Sequence, residues 1–183
     1  MGDYSTPSDV VIEASPLISF LKVDRFDILE ALYPSLVCTE HVIQEVVLFH
    51  QRERLIAIID AKRLREVSLS NLQIIAEFAH LTESSPLGPS EVSSFLYASD
   101  TGCKLIITDR KGIREAQRRG VSCISTQDVI VSAIHQGVVS LEEADALFTT
   151  WQAMNEYPVS VTTFTMLLAP KRLHLPNGVP SRL

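Results

Sequence analysis

The sequence has no apolar run near the roughly 20 residues that a membrane-spanning helix needs. Its first nine residues lack the basic start and apolar core of a signal peptide, so a soluble cytoplasmic protein is expected. Cysteines are few: Cys38, Cys103 and Cys123 are odd in number and form no C-x-x-C pair, which argues for reduced thiols rather than a disulfide framework. The five histidines lack zinc-finger or zinc-protease spacing. There is no G-x-G-x-x-G segment, no Walker loop, no internal repeat and no low-complexity tract. An excess of basic residues is also missing. The formal charge of -6 argues against a broad nucleic-acid-binding surface, although it leaves room for a local basic stripe.

What is present suits one globular domain: 183 residues, 46% hydrophobic and 21% charged, enough to bury a sizeable core. Val10 to Ile12 is β-branched and predicts a strand. Glu13-Ala14-Ser15-Pro16 then turns into a helix carrying Leu17, Ile18, Phe20 and Leu21. A short helix over 27–32 closes at Tyr33-Pro34, a second strand spans Leu36 to Cys38, and Thr39 is placed to cap the helix that follows. In that helix Val42, Ile43, Val46 and Val47 form one apolar face, with Glu45 about 60° beyond its edge. Arg52 to Arg65 has a charged helical pattern, and Val67 begins a minor strand. Leu72, Ile75, Ala76 and Ala79 repeat at helical spacing, and 82–89 reads as a loop because it holds two prolines and a glycine.

The chain is organised around the stretch from Gly88 to Arg119. Pro89 suits a first helical turn, and Glu91 falls at the positive end of that helix, about 40° from Phe95 on the margin of its apolar face. Leu105, Ile106 and Ile107 form a short buried strand with Thr108-Asp109 at its carboxyl end, where open parallel α/β sheets place their ligand crevices. A basic helix over 112–119 stops at Gly120, and Val121 to Ser125 is a further strand. Asp128 suits a helix start. Ser140-Leu-Glu-Glu143 is a capping box that opens a helix with the apolar stripe Leu141, Ala144, Leu147, Trp151 and Met154.

Glu13, Glu45, Glu91 and Asp109 thus share one description: each lies at a strand end, a helix start or the rim of an apolar face. They serve equally as caps and surface charges. If instead they converge, each pair at ~5 Å repels by roughly 3 kcal/mol at an effective dielectric near 20. Such a cluster must bind protons or a hard cation, and an all-oxygen donor set favours Mg²⁺ or Mn²⁺ over zinc. The chemistry this implies is metal-assisted phosphodiester hydrolysis. That chemistry needs no histidine base, so His41 and His50 read as structural, and Ser15 has no paired histidine to make it a nucleophile.

The segments Val-Val-Ile-Glu-Ala-Ser-Pro-Leu-Ile (10–18), Val-Ile-Gln-Glu-Val (42–46), Leu-Gly-Pro-Ser-Glu-Val (87–92) and Ile-Ile-Thr-Asp-Arg-Lys-Gly-Ile-Arg-Glu-Ala (106–116) together resemble a PIN domain. The likeness is to the prokaryotic branch that includes VapC-type toxins, and it runs from about Val10 to Ala146. It implies a three-layer α/β fold with a central parallel sheet flanked by helices, and endoribonuclease activity dependent on Mg²⁺ or Mn²⁺. By position it assigns the catalytic acids to Glu13, Glu45, Glu91 and Asp109, with the metal on Glu13, Glu91 and Asp109. Ser15 matches the small hydroxyl residue of the first loop, and Thr108, Arg110 and Lys111 lie where RNA would pass. It further implies the toxin of a toxin–antitoxin pair, held by a small antitoxin. Two positions depart from the pattern: Glu13 stands where an aspartate is usual, and Thr108 where many relatives carry another acid. The alternative is a catalytically impaired PIN fold that binds RNA or protein.

The expected domain spans 1–157. The remaining 158–183 contains Pro158, Pro170, Pro176 and Pro180 around an apolar patch, Phe164 to Ala169, and reads as a tail or arm. With the Trp151 stripe it suggests a homodimer.

Overall fold

The computed structural model describes residues 9–154. Strand β1 (Val10–Ile12) leads into α1 (Ala14–Lys22) and α2 (Phe26–Leu32); β2 (Leu36–Thr39) is followed by α3 (Glu40–Glu45) and α4 (Phe49–Asp60). Next come β3 (Arg65–Val67), α5 (Leu72–Ser84) and α6 (Pro89–Thr101), then β4 (Lys104–Ile106) and α7 (Arg110–Arg118). The strand β5 (Cys123–Ile124) and the helices α8 (Thr126–His135) and α9 (Leu141–Ala153) complete the described chain.

The five strands pair in parallel in the order β3-β2-β1-β4-β5, so the chain winds outward from β1 on one side and returns to β4 on the other. Strands this short need both faces covered, and each face has its own core. Val10, Ile12, Leu36 and Ile106 pack with Phe20, Leu29, Ile130 and Trp151 on one side. Val11, Val37, Leu105 and Ile107 pack with Phe95, Leu96 and Ala116 on the other. The result is the expected three-layer α/β architecture.

Several local expectations change. The α3 helix stops at Glu45, which leaves Val47 77% exposed and off the apolar face assigned to it. Thr39 precedes α3 but does not cap it, because its buried hydroxyl meets that of Ser93 at 2.7 Å. Helix α5 extends to Ser84, shortening the expected loop. It also turns a different face inward. Ile74, Phe78 and Leu81 pack on the core, whereas Leu72, Ile75, Ala76 and Ala79 are exposed. Both sets have helical spacing, so periodicity alone could not select the buried phase. Strand β4 begins one residue early, at Lys104.

Ala144, Leu147 and Trp151 of the α9 stripe are core, Leu141 is partly buried, and Met154 is exposed. Trp151 is buried, donates Nε1–H to the Ser19 carbonyl at 2.9 Å, and meets Phe20 edge-on with ring centroids 5.5 Å apart. The segment 158–183 lies outside the described residues, and with it the arm. Trp151→Ala should lower unfolding free energy by about 3–5 kcal/mol, read from urea denaturation, because it leaves a large cavity at the seam of α1 and α9.

Candidate active site

β1 and β4 are neighbours, with Ile12 in register with Ile106, and the chain leaves them toward opposite halves of the sheet. Their carboxyl ends therefore flank the topological switch point of the sheet, where side chains from two connections face one crevice. Glu13 follows β1 directly, and its backbone N–H donates to the Ile106 carbonyl at 3.0 Å. Asp109 follows β4 after two residues. Glu91 enters on the first turn of α6, and Glu45 at the end of α3.

Three of these acids are helix-capping residues, and they converge all the same. Glu13 Oε2 accepts the Ser15 N–H at 2.9 Å at the start of α1. Glu91 Oε2 accepts the Gly88 N–H at 2.8 Å ahead of α6. Asp109 Oδ1 accepts the N–H groups of Lys111 and Gly112 at 2.8 and 3.0 Å at the start of α7. Capping fixes each carboxylate near the positive end of its helix and leaves its second oxygen for the crevice.

Those second oxygens meet through Ser90 and through one another. Ser90, buried on α6, lies 3.2 Å from Glu13 Oε1 and makes a short contact with Glu45 Oε2. A hydroxyl has one proton, so Ser90 donates to only one of Glu13 Oε1 and Glu45 Oε2 at a time, and the two carboxyls compete for it. Burial pushes the Glu13 carboxyl up to about 7, with Glu45 and Glu91 adding to the rise against the hydrogen bonds from Ser15 and Ser90. Burial also raises Glu91, opposed by the Gly88 N–H and reinforced by neighbouring Asp109. At Asp109 burial alone would raise the carboxyl, but the N–H groups of Gly112 and Lys111 outweigh it and hold it low. Across the Glu91–Asp109 hydrogen bond the shifts are thus opposite, upward at Glu91 and downward at Asp109.

The remaining expected residues are more dispersed. Ser15 is exposed on the first turn of α1. Thr108 pairs its hydroxyl with that of Thr126 at 2.9 Å, tying the β4 exit to α8. Arg110 and Lys111 are exposed on the first turn of α7, and Lys111 contributes to holding Asp109 ionised. His41 packs its ring on Phe78, with centroids 4.5 Å apart. Asp128 forms a capping box with Ser125. Ser90 was not among the expected residues, although one sign of it stands in the sequence: Ser90, Ser93 and Ser94 put hydroxyls on a helix face that should be apolar, and all three are buried. Gly112 matters too. A Cβ there would sit 2.6 Å from the Ile107 side chain and 3.2 Å from Glu91 Oε1, so α7 approaches the acids as closely as glycine allows.

Among the described residues, no three Asp, Glu, His or Cys side chains form a ready-made metal cage. The acids stand instead as two pairs, Glu13 with Glu45 through Ser90, and Glu91 with Asp109. Their chemistry nonetheless fits a hard divalent ion. The donors are all carboxylate oxygens, Glu13 and Glu91 are held above their ordinary range, and no cation figures among the causes of either shift.

The PIN domain model DUF3368 matches residues 9–166, and the chain belongs to that family, whose members are in general nucleases. Among solved structures, the chain is similar to the PilT N-terminus domain protein SSO1118 from the archaeon Sulfolobus solfataricus P2. That likeness has 20% identity and a TM-score of 0.46, over 69% of this chain and 93% of the other. It is also similar to PAE2754 from Pyrobaculum aerophilum, at 14% identity and a TM-score of 0.48, over 68% of this chain and 96% of that one. No curated protein matches the chain by sequence.

Burial keeps Glu13 neutral in the fold at pH values where an unfolded chain ionises it. Its contribution to stability is complete below its ordinary value of 4.5 and is lost as pH rises through about 7. Glu13→Gln, which keeps the shape and stays neutral, should therefore match the parent protein at pH values below 4.5 and exceed it by up to about 3 kcal/mol at pH 8.5 in metal-free urea denaturation. Equal stability gaps at the two pH values would contradict a neutral buried Glu13.

Proposed function

We propose that this PIN-domain chain is a divalent-metal-dependent endoribonuclease whose catalytic acids are Glu13, Glu45, Glu91 and Asp109. The observation that carries the reading is the meeting of acids from four separate elements at one sheet switch point, at the cost of raised pKa values at Glu13 and Glu91. Structural stability gains nothing from two elevated carboxyls. A cation-binding function explains why they are there.

Glu13, Glu91 and Asp109 would hold Mg²⁺ or Mn²⁺. The ion, when bound, supplies Lewis-acid polarisation of a phosphate oxygen and lowers the pKa of water beside it. The chain's own residues do the rest. Filling the site would favour the ionised forms of Glu13 and Glu91, and the Ser90 hydroxyl, set between Glu13 and Glu45, holds those two carboxyls side by side. Ser15 and Thr108 offer hydroxyls at the two strand exits. Arg110 and Lys111, exposed beside Asp109, supply positive charge to the phosphate and to the departing oxygen.

The finer part of the reading is a toxin that pairs with a second copy or is held by a small antitoxin. Support for a partner comes from exposed Val47, Leu48 and Phe49 at the α3–α4 elbow, beside Glu45. The impaired-site alternative draws on the absence, among the described residues, of a preformed three-acid cage.

Calorimetric titration of metal-stripped protein with Mn²⁺, followed by incubation with single-stranded RNA, separates these readings. Wild type should bind Mn²⁺ and cleave, and Glu91→Gln should keep its circular dichroism spectrum while losing cleavage by at least a hundredfold. Absence of Mn²⁺ binding by wild type, with activity gained on Glu13→Asp, would favour the impaired module instead.

A further inference from the structure

We propose that the cleft between the α5–α6 connection and α7 seats a nucleotide of single-stranded RNA adjoining the phosphate at the acidic site; this assignment rests on the ribonuclease reading above. The cleft has a volume of about 360 Å³, within the range of small-ligand sites. Its floor is apolar, made by Leu81 at the end of α5 and by Pro86 and Leu87 in the connection. Its other wall is α7, which contributes Glu115 and three cations, Lys111, Arg114 and Arg118. These three stand at i, i+3 and i+7 on α7, so one helix face presents them in a row.

The charges on that face are unequally engaged. Glu115 pairs with Arg118 and with Arg119, each at 3.2 Å, and Glu77 takes Arg119 at 2.6 Å. Among the described residues, no ion pair within 4 Å engages Lys111 or Arg114, and both are exposed. On a chain of formal charge -6, three cations against the one acid Glu115 leave this lining net positive, and among the described residues Arg114 is in no ion pair.

Position links the cleft to the acids at both of its walls. Leu87 immediately precedes Gly88, whose N–H holds Glu91, and the backbone N–H of Lys111 is itself held by Asp109. A strand whose phosphate lies at the acids therefore continues past Lys111 and Arg114. An apolar floor suits the flat face of a base, and a guanidinium can stack on that base or pair with its phosphate. A duplex keeps its bases stacked and cannot lay one on Pro86 and Leu87, so the strand must be single.

The test uses the full-length chain in EDTA, where binding is measured without cleavage, by fluorescence anisotropy of a labelled single-stranded RNA of mixed sequence across a salt series. Arg114→Ala with Arg118→Ala should weaken binding and flatten the slope of log K against log[salt] by about 1.4, two contacts at roughly 0.7 each. Arg114→Lys with Arg118→Lys should keep the slope. Duplex RNA should bind the parent and the alanine variant alike. Both side chains are exposed, so circular dichroism and melting should not change. An unchanged slope in the alanine variant, an equal loss on duplex RNA, no binding by wild type, or displacement of RNA by a polyglutamate peptide at equal charge would each overturn the assignment. Cleavage with Mn²⁺ is scored separately. A flattened slope without any cleavage keeps the cleft and removes the ribonuclease reading, whereas cleavage with an unchanged slope does the reverse.

Discussion

The parallel pairing of β1 with β4 is the constraint on which the rest of the molecule depends. Each strand is only three residues long, so the pair is stable only when both faces are covered, and the two cores supply that cover. Because β1 feeds one half of the sheet and β4 the other, the crevice at their carboxyl ends is bounded by the starts of α1 and α7, with α6 crossing above it. Every acid of the site is referred to this pair.

A tension follows from that placement. The same positions that cap helices also crowd negative charge, and the crowding is felt as raised carboxyls at Glu13 and Glu91. Glu13 and Glu45 share the Ser90 hydroxyl, and Glu91 is pushed up and Asp109 down across their hydrogen bond. Helix dipoles and backbone N–H groups steady the oxygens that face away from the crevice, which leaves the facing oxygens able to exchange protons for a cation. The cations of the neighbourhood stand along α7, where Lys111 favours the ionised form of Asp109 while no cation figures in the shifts of Glu13 and Glu91.

Much of the architecture followed from local pattern. The β-branched runs at Val10 and Leu105, Pro89 ahead of Glu91, and the capping box at Ser140 each act within a few residues, so their consequences appear in the chain itself. The likeness of four short segments, in order, to PIN domains pointed to the family and to the same four acids. Elsewhere local pattern was ambiguous. In α5 two helical phases were apolar, and only packing on α6 selected Ile74, Phe78 and Leu81. At α3 the apolar series ran past Glu45, but the chain turned there to start α4, and Val47 was left in solvent.

By itself, then, the sequence determined the alternation of strands and helices, the caps, and which acids stand at element ends, because these are settled by interactions between near neighbours. Only the tertiary structure decided that the capping acids also meet in one crevice, since that depends on distances between residues as far apart as Glu13 and Ser90. It decided the protonation pattern as well, because the raised carboxyls of Glu13 and Glu91 come first from burial, which no local stretch of chain can impose. It also made one feature of the Leu81–Leu87 segment and the basic face of α7, which become a cleft only when the sheet brings α5, α6 and α7 together.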